Sequence, residues 1–186
     1  MSDRFGTGTP SNGTQISGEL ERLHEECEAF LRSLPADVFV RPQGAKWSPA
    51  EHVRHLSKSV RPVALALGLP RFVLRLRFGR GAGASRSFEA LREAYLARLA
   101  AGATAGRFAP SPQAAPEDAA AYRDSVLGSW RAANADLRAR IARWDEEALD
   151  RQLLPHPALG TLTVREMLFF TLYHNGHHLN LVASRA

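Results

Sequence analysis

Wherever apolar side chains recur regularly in this chain, they recur at steps of three and four, and that periodicity confines it to an all-helical fold. From Gln15 to Leu34 the positions Ile16, Leu20, Leu23, Cys27, Phe30 and Leu31 form one stripe. Pro35 closes this helix, and the stretch through Arg41, Pro42, Gln43 and Gly44 reads as a loop. In Trp47-Ser48-Pro49-Ala50-Glu51, Ser48 is placed to cap a second helix, Pro49 suits its first position and Glu51 completes a capping box. That helix extends to about Leu67, with Pro62 expected to kink or interrupt it. A third long pattern covers Glu117 to Trp144 through Tyr122, Val126, Trp130, Ala133, Leu137 and Ile141. A polar turn region with Pro155, Pro157 and Gly160 leads to Thr163 and Glu166, a second capping box, and a fourth helix to about Ala183.

Four such stripes are buried together in a bundle. The middle of the chain is less regular. A short helix over Phe72 to Phe78 is preferred there, although Val73, Arg75 and Arg77 alternate as a strand would, and Phe88 to Leu99 reads as a further short helix. Between them Gly79 to Ala84 is a flexible loop, and Gly102 to Pro116 is a Gly, Ala and Pro-rich linker. The expected organisation is a flexible N-terminus over residues 1–14 and a single domain over 15–186.

Composition removes several function classes. No apolar run is long enough to span a bilayer, and the start of the chain lacks a signal peptide's apolar segment, so a cytoplasmic protein without membrane contact is expected. The net charge of +5 is nearly all arginine, with a cluster at Arg71, Arg75, Arg77, Arg80 and Arg86, but no nucleic-acid-binding motif accompanies it. A solvated face is the better account, and no nucleic-acid partner is expected. Cys27 is the lone cysteine and lies in an apolar stripe, where it packs as a small side chain. Trp130 is expected in the core, and Trp144 serves a core or an interface equally well.

With no second cysteine, a metal would have to be held by histidines and carboxylates. His174 and His178 lie four apart on the last helix, so their rings stack on one face and can share an ion. The zincin pattern needs Glu after the first of them and finds Asn175, which disfavours protease chemistry. His177 is a candidate general base or outer partner of the site, and equally a surface residue. His52 and His55, one turn apart, compete for a role on the second helix, whereas His24 and His156 have no partner at ligand spacing and read as structural or solvent-facing.

Two motifs add to these spacings. The stretch from Trp47 to Leu56, a Trp-Ser opening followed by His55-Leu56, resembles the second-helix motif of the DinB-like superfamily. His156 to Thr163, followed by Tyr173-His174-Asn175-Gly176-His177-His178-Leu179, resembles that family's closing segment. The resemblance implies a DinB-like four-helix bundle with additional short helices, and by position it places the family's three metal-binding histidines on His55, His174 and His178, not on His52 or His177. It also implies a divalent ion, zinc or nickel-like, with water completing the shell. Relatives include S-transferases that use low-molecular-weight thiols, and metal-dependent hydrolases or isomerases. By that likeness this chain is expected to act on a small molecule, with Arg71 to Arg80 as a candidate clamp for a carboxylate or thiol cofactor. The alternative is a non-catalytic metal-binding stress, sensing or dimerisation protein, and a homodimer is among the partners the resemblance suggests. Many members carry Gln shortly after the last histidine, where this chain has Asn180 and Leu181.

Overall fold

The structure, a computed structural model, describes residues 3–42, 44, 46–111 and 114–185. Gln43 of the expected loop, Pro112 and Gln113 of the expected linker, and the terminal residues Met1, Ser2 and Ala186 lie outside them.

Four long helices carry the fold: α1 (Gly13–Ser33), α3 (Pro49–Leu67), α6 (Ala119–Ile141) and α8 (Val164–Ala183). Between them run α2 (Ala36–Val40), α4 (Arg71–Phe78), α5 (Phe88–Ala100), a 3-10 turn at Gly106–Phe108 and α7 (Glu146–Arg151). In the bundle α1 and α3 each border both α6 and α8, so the two pairs sit on opposite corners. Their inward stripes meet in one core that includes Ile16, Leu20, Val53, Leu56, Trp130, Leu137, Leu168 and Leu172.

Local chemistry sets the ends of these helices. Ser48 and Thr163 each accept from the backbone N–H of the residue three ahead, and Glu51 and Glu166 return the bond, so both expected capping boxes form. Asn12 caps α1 by accepting from Gln15 N–H, which starts that helix slightly earlier than its stripe suggests. Pro62 sits on an exposed face of α3, and the helix continues past it to Leu67. Of the expected kink or interruption, the interruption does not occur, because proline removes only one backbone donor and the buried positions on both sides of it, Val60 and Val63, hold the helix in place.

Two features depart from the sequence reading. The region read as a polar turn is a two-stranded antiparallel hairpin, β1 (Leu153–His156) against β2 (Gly160–Thr163), with Leu154 opposite Leu162. Gly160 supplies the positive φ its turn requires. Four-residue strands are too short to show a period of two, and Pro155 argues against a strand until a two-stranded ribbon is known to leave each strand one free edge. The expected loose N-terminus also touches the bundle. Phe5 is buried, and its N–H and carbonyl are both held by the side-chain amide of Asn180 on α8, at 2.9 and 3.0 Å. Gly176 lies beneath this segment, and a Cβ there would come within 2.8 Å of the Thr7 methyl.

Among the described residues no helix is long and apolar enough to cross a membrane.

Candidate metal centre

Ser48 and Pro49 fix the start of α3, and this sets the phase in which His52 and His55 turn inward. Both are buried, one turn apart. On α8 a spacing of four turns His174 and His178 toward them. The imidazoles of His55, His174 and His178 each offer one nitrogen, and the three nitrogens lie within 4.8 Å of one another. His52 stands outside this group, with its Nδ1 2.8 Å from Nδ1 of His178. Geometry thus groups His55, and not His52, with His174 and His178.

The hydrogen bonds around the three rings suit a cation. The carbonyl of Phe108 can only accept, so His55 donates to it from Nδ1 at 2.8 Å and keeps a bare lone pair on Nε2. That Nε2 faces Nε2 of His174 at 3.1 Å, close to the roughly 3.3 Å that two nitrogens about 2.0 Å from one tetrahedral ion would span. The contact with His52 engages Nδ1 of His178 and leaves its other nitrogen for coordination, the arrangement in which a ligating imidazole is oriented through its second nitrogen. Burial holds the pKa of His174 and His178 well below the ordinary imidazole value, and the neighbouring imidazoles add to this. Burial also lowers His55, against the opposing pull of the Phe108 carbonyl, and takes His52 down to about 4. Neutral rings are the form a metal requires.

Trp47 stands over the cluster, with its ring centroid 5.1 Å from His55, 5.4 Å from His52 and 6.0 Å from His178, the last nearly parallel. Beneath α8, Trp130 is fully buried on α6, lies with its ring centroid 4.3 Å from that of His24 at a tilt of 53°, and donates from Nε1 to Oδ1 of Asn175 at 3.1 Å. Asn175 follows His174 in sequence, so this bond helps set the rotation of α8. Trp47 was part of the sequence motif without a role assigned to it. No sequence signal marks the Phe108 carbonyl or the Trp130–Asn175 pair, since both depend on elements brought together from distant parts of the chain.

A cavity of about 410 Å³ opens beside the three histidines, within the size range of small-molecule sites. His177, half-buried, lines it beside Tyr95, and burial lowers its pKa. The Arg-rich segment does not supply the expected clamp. Of residues 71–80 only Phe78 lines the cavity. Arg71 instead pairs with Asp145 at 2.7 Å and lies over the Trp144 ring, and Arg80 approaches Glu147. The short helix α4 turns Leu74 inward and leaves Arg75 and Arg77 exposed, so its charge serves the surface.

The remaining candidates are structural. His24 is bonded to Glu28 at 3.1 Å, and Cys27 is fully buried, with burial pushing its thiol pKa up. Trp144 packs against the core and donates to the Leu67 carbonyl at 3.1 Å. His156 locks the hairpin turn: its Nδ1 accepts from the backbone N–H groups of Ala158 and Leu159 at 3.2 and 3.0 Å. Burial takes its pKa to about 4, so the folded state favours the neutral ring. Its contribution to stability is complete above the unfolded value of about 6.5 and is lost as pH falls toward 4, by roughly 3 kcal/mol in total. Urea midpoints of the wild type and of His156→Gln, measured between pH 7 and 4, are expected to converge as the pH is lowered. Parallel curves would contradict this role for His156.

Residues 19–182 match the DinB superfamily, and the chain belongs to that family. No curated protein matches its sequence. Among solved structures it is similar to the crystal structure of TT2238, a four-helix bundle protein, with a TM-score of 0.55 and 18% identity over 93% of this chain and 99% of that one. At that identity the likeness establishes the four-helix bundle and nothing further.

Proposed function

We propose that this protein is a metal-dependent enzyme of the thiol S-transferase or hydrolase kind, with a zinc or nickel-like ion held by His55, His174 and His178. The observation that carries the proposal is the convergence of three neutral imidazoles from two helices at the wall of an open cavity. Three protein ligands leave a position for water or a thiol, which a bound divalent ion would activate as a nucleophile near neutral pH.

The protein's own groups do the rest. Phe108 and His52 orient His55 and His178 through their second nitrogens. Trp47 shields one side of the cluster from water. His177, neutral at pH 7 and on the cavity wall, accepts the proton released by the nucleophile. A small-molecule electrophile enters through the cavity.

The test is metal content by plasma mass spectrometry on protein purified without a His tag. It is followed by thiol consumption with bacillithiol, mycothiol or glutathione against a panel of electrophiles. About one ion per chain with turnover is the expected result. One ion per chain without turnover on any thiol or ester would reduce the site to a tie between α3 and α8. Protein that stays metal-free after incubation with zinc or nickel would sink the metalloenzyme reading.

A further inference from the structure

The cavity itself narrows what enters it. Its walls are largely apolar, formed by side chains such as Val63, Ala66, Phe78, Leu99, Met167 and Phe170. Among the described residues that line it there is no Asp or Glu, and Arg107 is the sole Lys or Arg. Arg107 is exposed on the 3-10 turn whose next residue, Phe108, holds His55, and its guanidinium lies 5.1 Å from the Phe108 ring centroid. One cationic group therefore stands at the edge of an apolar chamber that the histidine cluster also lines.

The charge balance follows from that list. Three neutral imidazoles offset none of a divalent ion's charge, and a bound hydroxide or thiolate offsets one unit. With Arg107 the chamber then retains about two positive charges and no carboxylate to balance them. Such a site repels cations, and its few polar groups give poor recognition of sugars or nucleotides.

We infer that the cavity binds amphipathic monoanions, carboxylates with a medium-length alkyl or aryl body, with the apolar body between α3, α5 and α8 and the anionic group drawn by Arg107 and the metal centre. This rests on the proposed metal site for only part of its force, since Arg107 and the absence of lining carboxylates act without an ion.

The test is titration calorimetry of zinc-loaded and zinc-free protein with octanoate, octylamine and propionate, with zinc content measured on the same samples. Octanoate is expected to bind at least about tenfold tighter than propionate, because five added methylenes are buried, and at least about tenfold tighter than octylamine, because the charge is reversed. Both preferences should hold in both forms, and the preference for octanoate over octylamine should be larger with zinc. Arg107→Ala should weaken octanoate severalfold in the zinc-free form, and Ala66→Trp, which fills the chamber away from the histidines, should abolish binding with an unchanged circular dichroism spectrum. Octylamine binding as well as octanoate, propionate matching octanoate, or a folded Ala66→Trp that binds normally would each overturn the inference. A chain that takes up no zinc yet prefers octanoate through Arg107 sinks the metal reading and leaves this one standing. A zinc-loaded chain indifferent to ligand charge does the reverse.

Discussion

His174→Ala and His55→Ala are each expected to lower zinc affinity by well over 100-fold, beyond the roughly 10 to 100-fold that loss of an orienting partner costs a metal site. Both residues belong to the three-imidazole group, and two histidines cannot hold a divalent ion against ordinary competition from water. His52→Ala supplies the contrast, because it touches the group only through His178 and should fall within the smaller range. Competition with a chromophoric chelator measures all three, with circular dichroism confirming the fold. His55→Ala that binds zinc as tightly as the wild type would remove α3 from the site. His52→Ala that is as damaging as His55→Ala would show that the ion sits one helical turn away from the place assigned here.

Trp130→Ala should destabilise the protein by about 4 kcal/mol, a large part of the 5–15 kcal/mol typical of a domain. The indole is 1% exposed and packs at the centre of the bundle, so its removal leaves a cavity that the helices cannot close. Trp130→Phe keeps most of the volume and breaks the bond to Asn175 Oδ1, at an expected cost of about 1–2 kcal/mol for a buried acceptor left without its donor. Urea unfolding gives both values. A loss below about 1 kcal/mol for Trp130→Ala would mean that α6 and α8 are not held together as described. Zinc affinity of Trp130→Phe provides a second reading, since a freer α8 should hold His174 and His178 less well against His55.

Much of this architecture was legible because its signals are local. Ser48 with Glu51 and Thr163 with Glu166 announce two helix starts within four residues each, and the stripes through Leu20, Leu56 and Val126 follow from a period of 3.6. The pairing of His174 with His178 is likewise written in their spacing. What stayed hidden depends on contacts between segments remote in sequence. The hairpin 153–163 is built of strands too short to show alternation. Asn180, which in sequence was only a departure from a family pattern, holds the backbone of Phe5, 175 residues away. The arginines from Arg71 to Arg80 looked like a ligand clamp because charge density is visible in sequence and helix orientation is not. The cation on the cavity wall is Arg107, from a stretch that composition marks only as linker.

The outer wall of the cavity is made partly of residues 103–108 and 154–158, from a connection and a hairpin, while α3, α6 and α8 supply the histidines and their supports. Apart from the Phe108 carbonyl, which any residue at that position would provide, these two connectors hold none of the three rings, while the rest of the lining comes from helices such as α3, α5 and α8. Natural drift and deliberate redesign can therefore exchange side chains in the two connectors, altering which molecules are admitted, without repacking the bundle that keeps the three imidazoles in register.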